Sequence, residues 1–131
     1  MSAASDLPRP APASRTTAMM AHLSTLVGFF VSIPVAAGLV GPAVLWLTAS
    51  QQGDRFVGGQ AREAFNFHLS ILLAALLLQA LPTPATLMAV LVVLWMTVVI
   101  VVAGLAYEGR PMRYPMALPL VRPRRRGVSR G

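Results

Sequence analysis

The stretch REAFNFHLS, Arg62 to Ser70, gathers side chains that can hold or pass a proton or an ion: Glu63, Asn66, His68 and Ser70. It runs directly into the apolar ILLAALLLQAL, which carries one more polar group, Gln79. Ionisable and amide groups at the edge of such a run are costly in hydrocarbon unless they face protein or water. These five residues therefore form the candidate intramembrane polar face. One reading is a proton or ion path. The other is a charged entry turn whose amide and imidazole bond across helices.

Other chemistries find less footing. His22, His68 and Glu63 supply three possible metal ligands, but no local H-x-x-E-H spacing joins them, so no metal and no cofactor is expected. The chain has no cysteine, which removes disulfides, thiolate metal sites and thiol nucleophiles. Its serines lack a neighbouring His and acid at recognisable spacing, and Gly58–Gly59 makes no phosphate-cradling loop. No enzymatic activity is expected.

The elements that must position the polar face follow from composition. Of 131 residues, 56% are hydrophobic and 11% charged, with mean hydropathy +0.67. A soluble domain carries about a quarter charged residues, so much of this surface must meet lipid. The expected fold class is an all-α integral membrane protein with three apolar regions. The first, Met19–Ala49, is interrupted by Pro34, Gly38, Gly41 and Pro42. It reads as broken between Pro34 and Pro42 into a short helical hairpin, the alternative being one kinked span. The second, Leu69–Leu81, is about 20 Å long as a helix, short of a core of about 30 Å. It crosses only if the helix starts near Ala61, which draws REAFNFHLS into the membrane. The third, Ala85–Tyr107, has no charge and suffices for a span. Gly109 stands where a helix C′ glycine belongs.

Three domains are expected: a disordered, proline-rich tail over 1–18, a helical membrane domain over 19–109, and a basic, proline-rich cytoplasmic tail over 110–131. "VAAG" at Val35–Gly38 also permits a signal-peptide reading, against which the long proline-rich lead-in speaks. Within the second region, Glu63, Asn66, Ser70 and Ala74 share one helical face. Ala61, His68, Ala75 and Gln79 share roughly the opposite one. Such a helix is expected to pack on two sides. In the first region Ser24, Gly28, Ser32 and Ala36 recur every four residues, a small-residue ridge for helix packing.

The net charge of +7 comes with no aromatic interleaving, so the arginines are assigned to topology and anionic headgroups and no nucleic acid is expected. Arg122, Arg124, Arg125 and Arg126 are the expected headgroup contacts. The 54–63 connection and the C-terminal tail hold most of the arginines. The positive-inside bias places both in the cytoplasm of a cell inner-membrane, multi-pass protein. The expected partners are the lipid bilayer, further copies of the chain and other membrane proteins.

Four motifs stand in order: AHLS (Ala21–Ser24), GPAVLWL (Gly41–Leu47), REAFNFHLS (Arg62–Ser70) and GRPMRYP (Gly109–Pro115). Together they resemble a widespread family of small bacterial membrane proteins of unknown function. That family is distantly similar to the channel-forming subunit of the chloroplast inner-envelope protein translocon. The resemblance covers about Met19 to Val121. It implies a helical membrane domain, four-span relatives, and matching places for Glu63, Ala64, Asn66, Leu69 and Ser70. His68 departs from the family pattern, where a glutamine is common, as do Gly58, Gly59 and Gln60. The leading functional expectation is a non-catalytic helix-packing subunit of an oligomer or larger membrane complex. The alternative is a self-associating pore or protein-translocation element.

Overall fold

The computed structural model of the chain describes residues 8–30, 35–82, 84–114 and 118–121. Among them all regular structure is helical. The helices are α1 (Pro12–Phe30), α2 (Val40–Gln52), α3 (Arg55–Gln79) and α4 (Ala85–Tyr107), with a 3-10 turn, Val35–Leu39, leading into α2.

Each boundary has a local cause. α1 opens on Pro12, whose fixed φ suits a first helical position. Pro42 sits in the first turn of α2, where a missing N–H costs nothing. α2 ends on Gly53 at φ 76°, and only one further residue separates it from α3. That residue, Asp54, caps α3: its carboxylate accepts from the Phe56 and Val57 amides at 3.1 and 3.0 Å. α4 closes in a Schellman turn. The Gly109 amide donates to the Ala106 carbonyl and the Arg110 amide to that of Leu105, both at 3.0 Å, with Gly109 at φ 81°.

Several expectations shift. Two helices, α3 and α4, are long and apolar enough among the described residues to cross a membrane, not three regions. The first apolar region is shared between α1, which carries Arg15 and His22, and α2, whose 13 residues span only about 20 Å. These two pack on each other, and the Ser14 hydroxyl donates to Asp54 at 2.6 Å, so the start of α1 lies beside the end of α2. The break at Pro34 lies outside the described residues. α1 begins inside the segment read as an N-terminal tail. α3 begins at Arg55, so most of the 54–63 connection is helix, because the Asp54 cap and the burial of Val57, Gln60, Ala61 and Ala64 together offset the low propensity of Gly58 and Gly59.

α1 packs on both α3 and α4, and α2 packs on α3. Burial concentrates in the first half of α3, where Val57, Gln60, Ala61, Ala64, Asn66, Phe67 and His68 are all buried. Its second half and most of α4 are bare: Leu73, Leu76, Leu77, Val90, Val93, Leu94, Ile100 and Val101 are exposed. In water these faces would forfeit the burial that drives folding, so their medium is the hydrocarbon of a bilayer.

Candidate functional site: the polar seam of α3

α3 enters the fold through two close approaches lined by alanine and glycine, and a third brings α2 onto α1. Ala61 and Ala64 are fully buried, which lets neighbouring helices close on it. Gly38 lies against His68 and the Thr25 carbonyl; a Cβ there would sit 2.5 Å from His68 Nε2 and 2.8 Å from that oxygen. Gly41 of α2 lies equally close to Ser24 of α1.

On this scaffold the polar face of α3 holds the chain's own C-terminal segment. That segment leaves α4 at Arg110 and is proline-rich, so it carries few N–H donors to satisfy. Two of them, at Leu118 and Val121, are met by side chains of α3. Asn66 Oδ1 accepts from the Val121 amide at 2.9 Å, and Asn66 Nδ2 donates to the Val121 carbonyl at 3.1 Å. The side-chain amide thus pairs with one backbone residue as a neighbouring strand would. Ser70 Oγ accepts from the Leu118 amide at 3.0 Å and donates to the Asn66 carbonyl of its own helix at 2.7 Å.

A second group fixes the segment deeper in the core. Tyr114 is 4% exposed, and its ring stacks on Phe67 with centroids 3.9 Å apart and planes at 4°. Its hydroxyl lies 2.8 Å from His22 Nδ1, whose Nε2 lies 3.1 Å from Gln60 Oε1, while Gln60 Nε2 donates to the Met112 carbonyl at 3.4 Å. The direction of this chain is determined. The Met112 carbonyl can only accept, so the glutamine turns its NH₂ there and offers its oxygen to His22. His22 must then carry its proton on Nε2, and its bare Nδ1 accepts from the Tyr114 hydroxyl. The imidazole is neutral and both nitrogens are used.

The sequence-expected face divides. Asn66 and Ser70 meet the C-terminal segment, while Glu63 is half-buried beside them. His68 faces another way, its ring 5.7 Å from Trp95. Gln79 ends α3 and is exposed. Of the small-residue ridge, Ser24 meets Gly41, whereas Ala36 lies beyond α1 in the 3-10 turn and is exposed. Ser32 lies outside the described residues, as do Arg122, Arg124, Arg125 and Arg126. Among the described residues no group of three His, Asp or Glu side chains converges in a metal-holding arrangement. Gln60, Tyr114 and Asp54 were missing from the sequence-derived site. Only Asp54 carried a usable signal, an N-cap residue directly before a helix.

Residues 13–121 match the model of a magnetosome magnetite crystal formation protein family. No curated protein and no solved structure matches the chain. The match covers most of the chain and agrees with the expected small bacterial membrane family; a likeness to a translocon subunit is no part of it. The chain belongs to the magnetosome magnetite crystal formation protein family.

Proposed function

We propose that this member of the magnetosome magnetite crystal formation family is a non-catalytic, helix-packing component of the membrane in which the crystal forms. The observation that carries this reading is the use made of the α3 polar face. Asn66, Ser70 and Gln60, the groups best suited to line a path, are spent on the chain's own C-terminal segment. What the helices offer outward is apolar: the exposed Leu and Val rows of α3 and α4. Such faces can pack on lipid, on a second copy or on another membrane protein. The pore or translocation reading loses the polar lining that suggested it.

The arginine-bearing ends sit together, since α1 starts beside the α2–α3 junction and Arg15 lies against Gly109 after α4. This supports placing that end, with the C-terminus, in the cytoplasm. Deleting the gene in a magnetite-forming host and measuring crystal size and number by electron microscopy tests the family role; unchanged crystals overturn it. Single cysteines introduced at Val93 or Ile100 test association. Disulfide-linked dimers in native membranes support the oligomer, and monomer alone removes it.

A further inference from the structure

Burial divides α3 and α4 at one level. Every buried residue of α3 lies between Val57 and His68, and every buried residue of α4 between Trp95 and Ala106. The two residues at the divide face each other, the His68 ring 5.7 Å from that of Trp95. Beyond it Leu73, Leu76 and Leu77 of α3 and Leu87, Val90 and Val93 of α4 are exposed.

The cause is the reach of the other two helices. All four helices have an end at one level. Ser14 bonds Asp54 at 2.6 Å, Ala49 Cβ lies 3.8 Å from the Cβ position of Gly58, and Arg15 lies against Gly109. From there α1 packs along α3 and α4, and α2 along α3. At the divide Gly38 meets the Thr25 carbonyl and His68, and Leu26 shares a buried cluster with Trp95 and Val99. α2 starts only at Val40, and α1 ends at Phe30, about 8 Å beyond Thr25. The C-terminal segment adds to the same half: Tyr114 stacks on Phe67, and Val121 is bonded to Asn66.

This divide falls at the middle of both spans. α3 and α4 are about 38 and 35 Å long, and their central residues, Phe67 and Met96, each stand one position from it. Spans centred on a hydrocarbon core of about 30 Å therefore place four helices and the C-terminal segment in one leaflet. The other leaflet holds two helices and little more than the last turn of α1. A helix about 10 Å across occupies about 80 Å², so the second pair widens one leaflet by about 160 Å². Such a body is a wedge. Bending the bilayer so that the wide leaflet is convex enlarges that leaflet relative to its partner and makes room for the extra helices. The opposite bend compresses them.

We infer that the chain is a curvature-selective wedge, which partitions into bilayer that is convex on the side of the α2–α3 junction. The sign of the preference follows from the geometry. Its place in the cell rests on the topology proposed above, in which the wide leaflet is cytoplasmic and a small vesicle inside the cell offers the matching face.

A membrane tube drawn from a giant vesicle tests this with the full chain. The protein has no cysteine, so single cysteines at the exposed Gln51, on the wide end, and Pro82, on the narrow end, take a membrane-impermeant maleimide dye from outside only. Each label then reports molecules of one orientation. Phosphatidylcholine alone is the lipid, which leaves the arginines no anionic surface to sort on. Measured against a lipid dye, molecules labelled through Gln51→Cys should be several-fold enriched in the tube over the vesicle wall, and those labelled through Pro82→Cys depleted. Equal ratios for the two labels overturn the inference, as does a Gln51→Cys ratio no higher than that of the lipid dye; neither result touches the family role. Complete labelling of both positions from outside would mean that α3 and α4 do not cross, and overturns the membrane reading with it.

Discussion

Asn66 and Val121, 55 positions apart, exchange two hydrogen bonds, at 2.9 and 3.1 Å, and so bind the end of the described chain to the middle of the polar seam. The pairing is specific because Asn is the shortest side chain that presents a donor and an acceptor in one plane. Replacing it by Ala deprives the half-buried Val121 N–H and carbonyl of their partner, at a cost of about 1 kcal/mol. The segment should then detach before the helices unfold. Trypsin cleavage after Arg113 should accelerate in Asn66→Ala, and less in Ser70→Ala, which leaves only the Leu118 amide without its acceptor. Identical digestion of both variants and the wild type would sink this account of the segment.

The stacked Tyr114 separates packing from hydrogen bonding. Tyr114→Phe keeps the ring on Phe67 but leaves His22 Nδ1 without a donor, and should cost about 1–3 kcal/mol. Tyr114→Ala also empties the stacking site, and the loss should rise to about 3–5 kcal/mol. Thermal unfolding in detergent ranks the three proteins. Nitrogen NMR of labelled histidine checks the chain of donors directly: His22 should be the neutral tautomer with its proton on Nε2. A proton on Nδ1 contradicts the direction assigned to Gln60.

Much of this architecture is legible in the residues, and the remainder is not for identifiable reasons. The third apolar run and Gly109 at its end predict α4 because an uncharged 23-residue run has few alternatives. The need for REAFNFHLS to be helical follows from the shortness of Leu69–Leu81. Its purpose does not, because periodicity says which residues share a face and is silent on what covers that face. The covering element is the proline-rich segment around Tyr114. Prolines there exclude a continuous helix, which made the segment read as an extended basic tail and not as a covering element. The same prolines reduce the donors that burial must satisfy. The start of α3 was hidden by Gly58 and Gly59, whose low propensity is offset by a cap outside the helix together with the burial of Val57, Gln60 and Ala61.

That cap makes acid stability a direct test. Burial disfavours the charged form of Asp54, but hydrogen bonds from Ser14, Val57 and Phe56 outweigh it and hold the carboxyl below its ordinary value. A group depressed on folding contributes stability above its unfolded pKa, near about 4, and loses it as pH falls through the lower folded value. The melting temperature should therefore drop below about pH 4 in the wild type and vary less there in Asp54→Asn. At neutral pH, Asp54→Ala should cost about 1 kcal/mol and Asp54→Asn less, since Asn caps nearly as well. A wild-type melting temperature flat from pH 6 to pH 3 would refute the cap's contribution.

The approach of Gly41 to Ser24 sets how closely α2 lies on α1. A Cβ at Gly41 would overlap both the Ser24 hydroxyl and its Cβ, so rotating the hydroxyl away cannot relieve the clash. Gly41→Ala should thus destabilise by about 1–3 kcal/mol, although Ala is the better helix former by about 1. Ser24→Ala keeps the offending Cβ and should not rescue it. Ser24→Gly removes that atom, and the double variant Ser24→Gly/Gly41→Ala should recover part of the loss. The coupling energy from this cycle measures the contact itself, free of the helix propensity that each single change also alters. Strictly additive effects would mean that α1 and α2 do not touch at this point. The packing of α1 on α2 would then have to be redrawn.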